Sequence, residues 1–150
     1  MSEKIRLGII GVGNMGSAHG TNIVGGRCPD FELRAVADVN PARLEWAREH
    51  LGAVECFDDA IAMLDSGKID ACMVCVPHYD HAKYAMECMK RGIHVMVEKP
   101  AGVYTKQVRE MNAEADRHPD VVFGMMFNQR TNCVYRKMRE LVQSGKYGRI

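Results

Sequence analysis

No apolar run in this sequence approaches the roughly 20 residues that a membrane-spanning helix requires. Charge of one sign is missing too: 20 basic residues stand against 19 acidic ones with no long basic run. The footprint that a phosphate backbone needs is therefore absent, which argues against a nucleic-acid partner. The first apolar stretch, Ile5 to Val12, is not expected to be a leader, because it is broken by glycine, carries Arg6 and follows Glu3-Lys4. These absences lead us to expect a cytoplasmic chain without a membrane role. There the cysteines Cys28, Cys56, Cys72, Cys75, Cys88 and Cys133 are reduced thiols and not a disulfide framework. Cys72-x-x-Cys75 has metal-like spacing, but no second ligand pair accompanies it. On a strand, residues three apart face opposite sides, so neither a metal site nor a redox dithiol is expected. There is no internal repeat and no low-complexity segment.

What is present is 150 residues, 47% hydrophobic and 26% charged, enough for one ordinary globular domain that buries roughly 70% of its unfolded surface. Lys4 to Ile10 reads as a buried strand ending in glycines, and Asn14 to about Gly25 as a helix. Glu32 to Ala37 is a second strand closed by Asp38. Pro41 opens a helix to His50, and Glu55 to Phe57 is a short third strand. Asp58 is expected to cap a helix to about Leu64 that Ser66-Gly67 stops. Ala71 to Val76 is nearly all apolar, as strands covered on both faces are, and Pro77 ends it. A helix over His78 to Arg91 stops at Gly92. A strand over His94 to Val97, a helix over Thr105 to Arg117 and a strand over Val121 to Met126 follow.

Strands and helices alternating in this way demand parallel pairing with right-handed crossovers. The expected fold is α/β: a doubly wound parallel sheet of strand order 3-2-1-4-5-6 with helices on both faces. Residues 128–150 leave the alternation as a loop and a helix ending at Ser144-Gly145. The expected division is a dinucleotide-binding domain over 1–127, then a linker helix over 128–150 that begins a truncated second domain.

Gly11-Val12-Gly13-Asn14-Met15-Gly16 is a G-x-G-x-x-G between a strand and a helix, with an acidic residue, Asp38, further on. Gly11 permits the tight turn, Gly13 lets backbone approach a pyrophosphate, and Gly16 lets helix pack on strand. Free N–H groups at the helix start receive the phosphates. Asp38 can accept from both adenosine ribose hydroxyls and repels a 2′-phosphate, which favours NAD over NADP. Arg43, in the next helix, reads as a solvated arginine and not as a phosphate partner.

With His81 and the segment His94 to Pro100, the sequence resembles the Gfo/Idh/MocA oxidoreductases, the family of glucose-fructose oxidoreductase and inositol dehydrogenase. GVGNMGSAH (Gly11 to His19), VADVNP (Val36 to Pro41), CVPHYDHAKYAMECMKRGIHVMVEKP (Cys75 to Pro100) and MFNQR (Met126 to Arg130) carry the resemblance in that order. It implies an NAD(P)-dependent oxidoreductase acting on a secondary alcohol of a sugar, cyclitol or related polyol. Lys99 would be the general acid/base. A lysine at a strand's carboxyl end lies at the cofactor crevice, where the cationic nicotinamide and partial burial favour its neutral amine. By the same resemblance Glu98, facing away from Lys99, would hold the nicotinamide ribose, and Pro100 would fix the turn in a cis bond. Val76, Pro77 and His81 would line the nicotinamide pocket, with a helix cap as the plainer reading of His81. His19, one turn into the first helix, reads as packing. Asn128, Gln129 and Arg130 border a substrate site or form a polar linker.

Such enzymes are roughly twice as long, with a second α/β domain that carries substrate residues and makes a homo-oligomer. The expectation is thus a chain that binds NAD and turns over no substrate alone. Two alternatives stay open: an NAD-dependent glycosidase working through transient oxidation, and a non-enzymatic cofactor-binding regulator on the same fold.

Overall fold

The computed structural model describes residues 3–149. Six strands, β1 (Ile5–Ile10), β2 (Phe31–Ala37), β3 (Glu55–Phe57), β4 (Ala71–Val74), β5 (His94–Val97) and β6 (Phe123–Met125), form one sheet of order β3-β2-β1-β4-β5-β6. Every pair is parallel. The helices are α1 (Asn14–Val24), α2 (Pro41–His50), α3 (Ala60–Asp65), α4 (His81–Lys90), α5 (Thr105–Arg117) and α6 (Cys133–Gln143). The doubly wound sheet anticipated from the alternation is the observed fold.

Alternation along each strand sorts the core into two layers. Leu7, Ile9, Val36 and Met73 pack under α1 and α2 with Ile23, Leu44 and Ala47. Ile10, Ala37, Val74 and Val97 pack on the other face with Met63 of α3, Cys88 and Met89 of α4 and Met111 of α5. The two thiols of the Cys-x-x-Cys accordingly separate, Cys72 into the second layer and Cys75 against the first. On the α1 side an apolar groove of about 440 Å³ opens over β4, β5 and β6, with Met73, Met96, Gly124 and Met126 in its floor.

Several element ends differ from the sequence expectation. β4 stops at Val74, not Val76, because its register against β1 pairs Val74 with Ile10, where β1 itself ends. The helix expected from His78 begins instead with a single 3-10 turn, His78–Asp80, before α4. Asp59, and not Asp58, caps α3, its carboxylate accepting from the Ile61 and Ala62 amides at 3.1 and 3.2 Å. β6 is confined to Phe123–Met125. α6 buries none of its residues, and Val134, Met138 and Val142 on it are exposed.

Candidate functional site

The strands finish in step. The residue leaving each one donates its amide to the last residue of a neighbour: Gly11 to Ala37 at 2.7 Å, Asp38 to Phe57 at 3.1 Å, Cys75 to Ile10 at 2.8 Å and Glu98 to Val74 at 3.0 Å. Gly11, Asp38, Cys75 and Glu98 therefore stand in a row along the carboxyl edge of the sheet, where open α/β folds bind their ligands.

The glycine loop is built as the spacing requires. Gly11 has φ +90°, and a Cβ on it would meet the Cys75 carbonyl oxygen at 2.7 Å, so the turn admits only glycine. A Cβ on Gly16 would lie 1.9 Å from the Gly11 carbonyl oxygen, which makes Gly16 the contact between α1 and the turn beneath it. A Cβ on Gly13 would meet nothing within 4 Å. The backbone there faces open space, directly before an 11-residue helix that has no side-chain cap and no acidic residue in its first turn. A helix start of this kind leaves free amides for an anion, and the space at Gly13 is compatible with a pyrophosphate. Val12 is fully buried, while Asn14 and Met15 are exposed at the mouth of the turn.

Asp38 reaches this loop from β2. Its Oδ2 accepts the Val12 amide at 2.7 Å and its Oδ1 accepts the Asn40 amide at 2.8 Å. The carboxylate is thereby fixed beside the loop and remains partly exposed. Arg43 is exposed.

Lys99 follows β5 and leads into a cis Lys99-Pro100 bond. Its side chain is exposed, so the partial burial expected of it is not met within this chain: it stands on the open edge of the sheet, past the last strand residue. Glu98 differs too, being only 5% exposed. Its Oε1 accepts from Nε2 of His19 at 2.7 Å and its Oε2 accepts the Lys99 amide at 3.1 Å. His19, expected to pack, is the polar partner of this buried carboxylate. No local signal announces the pair, because 79 positions separate the two residues. Cys75 sits beside them, and burial together with the Glu98 charge pushes its thiol up to about 12.

His81 is 1% exposed. Its Nδ1 lies 2.6 Å from the Pro100 carbonyl oxygen and its Nε2 2.9 Å from that of Val76. The ring thus sits between the segment after β4, with Val76 and the exposed Pro77, and the turn after Lys99. Asn128, Gln129 and Arg130 form an exposed 3-10 turn, with the Arg130 guanidinium 5.0 Å from the centre of the Phe127 ring. Among the described residues no three His, Cys, Asp or Glu side chains are grouped to hold a metal ion, and no helix is long and apolar enough to cross a membrane.

Comparison with known proteins identifies the family. The oxidoreductase family with an NAD-binding Rossmann fold named for Gfo, Idh and MocA matches residues 5–125. Myo-inositol 2-dehydrogenase of Thermotoga maritima is 30% identical over 145 residues, 97% of this chain and 42% of that enzyme. D-glucoside 3-dehydrogenase of Escherichia coli is 32% identical over 149 residues, again 42% of its length. Scyllo-inositol dehydrogenase from Lactobacillus casei, solved with bound NAD(H) and scyllo-inositol, superposes with a TM-score of 0.90 at 32% identity, over 96% of this chain and 42% of that one. The chain therefore spans less than half the length of these relatives.

Proposed function

The chain belongs to the Gfo/Idh/MocA oxidoreductase family, and from that premise we propose that it is the nucleotide-binding part of an NAD-dependent dehydrogenase acting on a secondary alcohol of a sugar, cyclitol or related polyol. One observation carries the reading: an open cradle at Gly13, with Asp38 held beside it by the Val12 amide.

In this reading residues 3–127 form the cofactor domain, and residues 128–149 lead toward substrate-binding structure. The amides opening α1, over Gly13, Asn14 and Met15, receive the pyrophosphate, with Gly11, Val12 and Gly16 shaping the turn. Asp38 accepts from the adenosine ribose, and its charge disfavours the 2′-phosphate of NADP, so NAD is the preferred cofactor. The nicotinamide supplies the hydride acceptor when bound. Lys99, exposed at the crevice, takes the hydroxyl proton on Nζ as the alcohol carbon loses hydride. Val76 and Pro77 wall the nicotinamide side. His81, whose two ring nitrogens both face backbone carbonyls, holds that wall from behind. Glu98, nearly buried beneath Lys99, supports the nicotinamide ribose. Asn128, Gln129 and Arg130 border the substrate. The whole enzyme is a cytoplasmic homo-oligomer, and this stretch alone binds NAD without turnover.

The test is a thermal-shift titration with NAD and, separately, NADP. At about 100 times its dissociation constant a ligand adds roughly 2.7 kcal/mol, or about 5 to 10 °C for a domain of this size. We expect that shift with NAD and a smaller one with NADP. No shift with either refutes the cofactor assignment.

A further inference from the structure

Glu98 is a carboxylate almost out of water at the end of β5, on the face that α1 covers. A buried charge is tolerated only when donors replace its hydration. It has two: the amide of the adjacent Lys99, and Nε2 of His19. A carboxylate accepts, so the His19 ring donates, and the tautomer carrying the Nε2 proton follows. His19 lies on α1, the helix whose start is the anion cradle. Glu98 is joined directly to Lys99. The hydrogen bond therefore ties the element that seats the pyrophosphate to the peptide that carries the lysine, across the intervening β4 edge, where Cys75 lies beside the pair.

We propose that His19 is a positioning residue for Lys99, acting through Glu98: it fixes the Glu98-Lys99 peptide relative to α1, so that Nζ stands at a set place against the seated cofactor. This rests on the reading of Lys99 as the proton acceptor. Nothing in the role requires His19 to touch a ligand. Without the donor, the Glu98 carboxylate keeps only its own neighbour's amide and seeks solvent, and the Lys99 peptide turns with it.

The experiment reads the Lys99 amine in the full chain. Exposed lysines are modified with trinitrobenzenesulfonate with and without saturating NAD, and the rate at Lys99 is followed by peptide mass. In the native chain NAD protects Lys99. In His19→Ala the protection ratio falls about fivefold or more, exceeding any loss of NAD affinity measured by calorimetry, as expected of a displaced reacting group. His19→Gln, whose amide also donates, restores it. If His19→Ala does not fold, His19→Met takes its place, filling the space without a donor. An unchanged protection ratio in the folded donor-less variant, with only the melting temperature lowered, leaves His19 a purely structural residue and overturns the proposal. So does the absence, in the native chain, of an exchange-protected Nε2–H signal from the His19 ring. NAD binding without protection of Lys99 in the native chain refutes the placement of Lys99 itself, a failure distinct from that of His19.

Discussion

Asp38 and Val12, 26 positions apart, are joined by a hydrogen bond of 2.7 Å from the Val12 amide to the Asp38 carboxylate. The carboxylate at the end of β2 and the glycine loop after β1 are thus tied to each other directly. Asp38→Ala strips an acceptor from both the Val12 and Asn40 amides and, in the proposed reading, from the adenosine ribose. The expected loss in NAD affinity is about 10- to 100-fold, as for charged hydrogen bonds worth roughly 1.5–3 kcal/mol. Asp38→Asn, which removes charge but keeps an acceptor, should narrow the gap between NAD and NADP. Calorimetric titration of both cofactors checks this, and equal affinities in native and Asp38→Ala chains would sink it.

Two glycines in the same loop should fail in different ways. Alanine at Gly16 would place a methyl 1.9 Å from a backbone oxygen, so α1 must shift. Its cost should reach the upper end of the roughly 1–3 kcal/mol usual for overpacking, visible as a fall in melting temperature. Alanine at Gly13 meets no atom, and the backbone there has an ordinary φ of −73°. That variant should melt near the native temperature while its NAD-dependent shift disappears. Retained NAD binding in Gly13→Ala would show that the cradle is not where the pyrophosphate sits.

The six thiols should separate sharply by reactivity. Cys133 is exposed, whereas Cys72 and Cys88 are buried and Cys75 is pushed up to about 12. Cys72 is raised as well, first by its hydrogen bond with Cys88 and then by burial. Since the thiolate is the nucleophile, iodoacetamide at pH near 8 should modify Cys133 first and reach Cys72, Cys75 and Cys88 only on unfolding. Mass mapping that finds Cys75 labelled as fast as Cys133 is incompatible with a Cys75 thiol held up by partial burial beside Glu98.

Four carboxylates sit below their ordinary values, each chiefly through one hydrogen bond: Asp65 to Arg91, Asp70 to Arg6, Glu87 to Lys90 and Glu114 to Arg117. Groups lowered on folding contribute stability that is fully present above their unfolded values, near pH 4, and is lost as pH falls through the folded ones. Melting temperature should therefore change little between about pH 7 and 5 and drop steeply below about pH 4. Arg91→Ala, which takes a partner from both Asp65 and Glu87, should flatten that acid limb. Calorimetric scans of both proteins across this range test the sign, and parallel limbs would remove Arg91 from the account.

The sheet order and the glycine loop were legible because both rest on local pattern: apolar runs, their spacing, and punctuation at Gly25, Pro41, Pro77 and Gly92. The end of β4 was not, since nothing near Val74 marks it, and its length follows from pairing with β1 sixty-odd positions earlier. The partners of His81 and His19 escape a local reading for the same reason. Each takes its role from a group distant in sequence, the Pro100 carbonyl for one and the Glu98 carboxylate for the other. Lys99 and Asp38 were placed correctly at strand ends by position. What surrounds them depended on which neighbours the topology delivered.

β1 lies in the middle of the sheet, yet one of its two neighbours is made much later than the other. β2 begins about twenty residues after β1 ends, whereas β4 and the Arg6–Asp70 pair that pins it come from 64 positions away. As the chain leaves the ribosome, β1, β2 and β3 can assemble while the outer edge of β1 still carries unpaired amides and carbonyls. That edge stays open to other strands until residues 71–74 emerge, so the time taken to synthesise the intervening segment, and not the stability of the finished sheet, sets how long a nascent chain is vulnerable to aggregation.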